Sequence, residues 1–154
     1  MSLNVGLHEE LAVVGRITPQ VISADAETVS GAIDMQKWDE VLFVFNLGVY
    51  GGGNDGTLTA AKITGDTASG GTYATDITGK ALTPGSFTGS AEDDAVGLIR
   101  VTREEVAAQG LRYIRAEIEP TNQTLAAGVV AVGRAARYAP ASNFDLAAVT
   151  EIIS

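Results

Sequence analysis

Apolar residues run without a break through Val41-Leu42-Phe43-Val44-Phe45, between Asp39-Glu40 and Gly48. A short run of β-branched and aromatic side chains predicts a strand buried on both faces. A buried helix is the rival, but the run is short and Gly51-Gly52-Gly53 follows closely. Lighter patterns on either side predict further strands over residues 29–35, 57–63, 72–77, 96–101, 111–118 and 125–132, the fifth with one wet face. Turn signals separate them: the glycine-rich stretch 48–56 with its Asp-Gly, residues 65–71, and Pro84-Gly85. Thr102-Arg103-Glu104-Glu105 has the Thr-x-x-Glu form of a capping box, and Gly110 ends the helix it starts after a few residues. Residues 144–153 read as a short helix or an edge strand. Many short strands, turns between them and one tiny helix indicate an all-β chain, a β-sandwich.

Residues 1–28 follow a weaker rhythm. Leu11, Val13, Val14, Ile17, Val21 and Ile22 are apolar, while Pro19, Gly6 and Gly15 disfavour a helix or a central strand. Two readings stay open: an extended N-terminal arm that docks on a neighbour, or an ordinary edge strand. Division into an arm, 1–28, and a sandwich domain, 29–154, follows the first. Leu11, Val13, Val14 and Ile17 are then candidate contact residues.

Composition narrows the chemistry. The chain has 154 residues, no cysteine, one histidine and a net charge of −9. Without cysteine there are no disulfides, thiol nucleophiles or thiolate zinc sites. His8 alone cannot make a multi-histidine metal site, and a histidine triad would need the arm. Acidity without a strong Lys/Arg cluster argues against nucleic acid as partner. No apolar run reaches membrane-spanning length, and the first residues lack a secretory pattern.

The remaining motifs are weak. Gly51 to Gly56 resembles one unit of a calcium-binding repeat, but such sites need stacked copies. Gly79-Lys80 lacks the rest of a phosphate loop. Glu92-Asp93-Asp94 reads as a solvated turn, and Asn122-Gln123-Thr124 matches a glycosylation acceptor. No spacing among the carboxylates selects a catalytic pair. The expectation is no enzyme activity, no catalytic residue, no metal and no cofactor. Arg112, Arg115, Arg134 and Arg137 hold four of the ten positive charges in a short span. They form either a basic patch for an acidic neighbour or intramolecular pairs with the excess carboxylates.

Ile33-Asp34-Met35 before Trp38, the Val41 to Phe45 run, Arg112-Tyr113-Ile114-Arg115 and Ala136-Arg137-Tyr138-Ala139-Pro140 resemble small virion proteins of tailed phages. Residues 30–140 carry the likeness. The resemblance implies a head decoration, or cement, protein: a jelly-roll-like sandwich, made in the host cytoplasm, that sits on the capsid surface as a homotrimer and bridges major capsid subunits. The alanine- and valine-rich stretch 125–132 would lie near the contact between copies. A carbohydrate- or surface-binding sandwich and a tail or neck component are the alternatives.

Overall fold

The computed structural model describes residues 10–52, 56–83, 94–134 and 145–151. Among the described residues, nine antiparallel strands and a short helix follow in the order β1 (Leu11–Ile22), β2 (Thr28–Val29), β3 (Ile33–Asp34), β4 (Glu40–Tyr50), β5 (Thr57–Asp66), β6 (Thr75–Ala81), β7 (Ala95–Thr102), α1 (Arg103–Ala108), β8 (Tyr113–Thr121) and β9 (Leu125–Arg134). They form two packed sheets. Sheet one has the order β1-β9-β4-β7, and sheet two the order β2-β8-β5-β6, with β3 also on β8. This is the β-sandwich that the strand-and-turn pattern predicts.

Alternation along each strand builds the core. Val41, Phe43, Phe45 and Leu47 of β4 point inward, as do Ile99 and Val101 of β7 and Leu125, Val129 and Ala131 of β9. They meet Leu58 and Ile63 of β5, Ile77 of β6, and Ile114, Ala116 and Ile118 of β8. Trp38 closes one end over β9, where Gly133 leaves room: a Cβ there would lie 2.6 Å from the indole ring. The capping box forms as its sequence predicts, with Glu105 N–H donating to Thr102 Oγ1 and Thr102 N–H to Glu105 Oε2. Val106 of α1 is buried in the core, and Gly110 takes φ +70° after the helix.

Four expectations are corrected. The run 41–45 is buried on one face only: Leu42 is 38% exposed and Val44 half-buried on the outer side. The segment expected as an arm supplies β1, which pairs along β9 from Leu11↔Arg134 to Ile22↔Leu125 and buries Ala12, Ile17 and Ile22. Pro19 sits in a register shift between Ile17 and Gln20 of this edge strand, where its missing N–H leaves no ladder bond unmade. Residues 29–35 give two short pieces, β2 and β3, rather than one strand. Asp145–Leu146 is neither helix nor strand: Asp145 Oδ1 accepts from Val13 N–H at 2.6 Å, and Leu146 N–H donates to Val13 O at 2.8 Å. His8, the tip of the glycine loop, Pro84-Gly85, Glu92-Asp93 and Ala136 to Pro140 lie outside the described residues.

Candidate interaction surface

The two sheets turn very different outer faces to solvent. On sheet one, hydrogen-bonded register sets the outward side chains in rows across β1, β9, β4 and β7. One row is Leu11, Arg134, Glu40 and Thr102; the next is Val13, Val132, Leu42 and Arg100; the third is Arg16, Val130, Val44 and Leu98. Beyond them Gly128, Asn46 and Val96 line up, with Val21 opposite Ala126 further along. Leu98 is 61% exposed, Val96 59% and Val130 44%. With Leu42, Val44 and Val132 they make one contiguous apolar field, of the kind that marks an interaction site.

Small residues deepen the field at one end. Gly128 has no side chain to fill its row, and the Pro19 backbone comes within 3.2 Å of where its Cβ would stand. The result is a groove of about 380 Å³ lined by Arg16, Pro19, Asn46, Val96, Gly128 and Val130. The opposite end is charged. Glu40 accepts from Arg134 at 2.7 Å and from Arg100 at 3.0 Å. Those bonds hold its carboxyl below the usual glutamate range.

Sheet two is polar outside. Lys62 bonds Asp76 at 2.7 Å and lies 3.6 Å from Glu117. Arg115 bonds Glu27 at 2.9 Å and stacks on the Tyr73 ring at 4.7 Å. Burial pushes Glu117 up from its ordinary value, with Lys62 pulling the other way. At the sheet edge, Arg112 makes a two-pronged contact with Asp34, at 3.0 and 2.7 Å, which pulls Asp34 down.

The eight candidate contact residues are therefore scattered. Leu11, Val13 and Arg134 lie on the outer face of sheet one. Val14 packs against the core at a register shift, and Ile17 is buried within it. Arg112 and Arg115 belong to sheet two, each bonded to a carboxylate, and Arg137 lies outside the described residues. Leu42, Val44, Val96 and Leu98 were missed. Strand alternation in 96–101 was the available signal, but an unbroken apolar run hides which side faces out. Among the described residues, no group of three or more His, Asp or Glu is placed to hold a metal ion. Comparison with protein-family models, curated proteins and solved structures returned no match.

Proposed function

We propose that this chain is a non-enzymatic structural protein of a tailed-phage virion that decorates the capsid, stabilises it by bridging major capsid subunits, and associates with itself. The observation that carries the structural part is the asymmetry of the outer faces: sheet two carries polar side chains with Lys62, Arg112 and Arg115 each paired to a carboxylate, while sheet one presents an apolar field. An apolar field of this kind suits contact with another protein. Strand order supports a jelly roll. Chain connections cross between sheets at every step except β2–β3 and β5–β6, and an eight-strand jelly roll follows if β2 and β3 count as one interrupted strand. The placement on a capsid rests on the resemblance in residues 30–140.

A carbohydrate-binding sandwich would offer aromatic rings to its ligand. Among the described residues, Trp38, Tyr50 and Tyr73 are buried, and Tyr113 has Arg112 over its ring at 4.8 Å, so the structural reading is preferred. The test is addition of purified protein to capsids that lack it. Saturable retention at a fixed ratio to the major capsid subunit, with a raised capsid melting temperature, is the expected result. Protein that stays in the supernatant overturns the capsid reading, and retention at a few copies per particle points to the tail or neck.

A further inference from the structure

We propose that the outer face of sheet one is covered by the same face of a second copy of this chain, in a two-fold dimer whose axis lies in the interface, along the strands and midway between β4 and β9. This deepens the self-association just proposed and rests on it. An isologous contact works only if the face complements itself, and register shows that its two central strands do, while the outer strands set Val13 against Arg100 and Arg16 against Leu98 at the margins. Half a turn about this axis carries each β9 residue over the β4 residue of its own row. Arg134 lands over Glu40 of the second copy, and Glu40 under its Arg134. Val132 meets Leu42 and Val130 meets Val44. Gly128, with no side chain, meets Asn46, the outward amide of β4. Both ion pairs of Glu40 would merge into one network at the rim, where Arg134 and Arg100 are now more than three-fifths exposed.

Size fits as well. Four strands about 4.8 Å apart and some eight residues long at about 3.3 Å each give a footprint of roughly 500 Å². Side-chain relief raises the accessible area towards the ~800 Å² per partner of a standard interface. Stacked sheets pack about 10 Å apart with strands within about 30° of alignment. The axis runs between the two central strands, so that angle displaces the central rows least. The unbroken apolar run of β4, which leaves Leu42 exposed and Val44 half-buried in the single chain, becomes buried on both sides.

The experiment is sedimentation velocity over a concentration series with four samples: wild type, Val44→Asp, Glu40→Arg and Arg134→Glu. Circular dichroism and melting verify that each variant is folded. The wild type is expected to sediment as a dimer and Val44→Asp as a monomer. Each single charge variant faces like charges across the axis and should dimerise at least roughly tenfold more weakly. An equimolar mixture of the two should recover the dimer, since arginine 134 and the new arginine at 40 of one copy then meet glutamates of the other. A folded wild type that stays monomeric or forms trimers overturns the proposal. So does a dimer that Val44→Asp leaves intact, or a mixture no tighter than its parts. Capsid retention is read separately: a dimer that ignores capsids defeats the capsid reading alone, and a capsid-bound monomer defeats the dimer alone.

Discussion

Phe43 shows what one position can settle. It is fully buried between the sheets, and both neighbours in sequence, Leu42 and Val44, point away from it to the outside. Phe43→Ala should lower unfolding free energy by about 3–5 kcal/mol, read from denaturant melts. Gly133 makes a second case. A side chain there collides with the Trp38 ring, so Gly133→Val should cost about 1–3 kcal/mol through overpacking. The importance of Trp38 and Phe43 was legible in the sequence from size and apolarity alone. Gly133 was not, because a glycine in a strand does not say what crosses above it. The arginines were half legible. Their number left a basic patch and intramolecular pairs both open, and Arg112 and Arg134 part to different sheets through strand order, which no local spacing encodes.

At the level of elements, pattern gave β4, β5, β7, β8, β9 and α1 nearly as they stand. It failed where tertiary pairing overrides local signal. β1 has Pro19 and two irregular registers, features that suggested an arm, yet its edge position tolerates both. The consequence is testable: a chain lacking residues 1–22 loses the buried Ala12, Ile17 and Ile22 and uncovers β9, so it should show no cooperative melt. Thr102→Ala removes the hydroxyl that accepts from Glu105 N–H, leaves the Thr102 N–H to Glu105 half of the capping box in place, and should cost about 0.5–2 kcal/mol. Acid acts on the ion pairs that tie elements together. Asp34 and Glu40 are held below their ordinary values by arginine bonds, so the folded state favours their ionised forms. Their contribution is present above the unfolded values, near pH 4, and is lost as pH falls through the depressed folded values. Glu117 runs the other way: its raised value means that protonation relieves a cost of folding as pH drops. Replacing it with Gln should flatten that opposing trend, seen as a steeper acid-side loss of melting temperature.

For the whole molecule, composition and strand count spoke for a sandwich, but they could not say which face would stay bare. That needs the register of four strands that are far apart in sequence. Once the rows are in place, the apolar field of sheet one and the ion pairs of sheet two separate a contact surface from a solvated one. Footprinting with hydroxyl radicals reads that division directly. Oxidation of Leu42, Leu98 and Val130 would be followed by mass spectrometry as protein concentration rises through the association range, with Val29 of sheet two, 37% exposed, as internal reference. Pairing of the two sheet-one faces predicts a several-fold fall at all three positions and a constant rate at Val29. Rates at Leu42, Leu98 and Val130 that hold steady at every concentration, or protection that falls on Val29 instead, would contradict it.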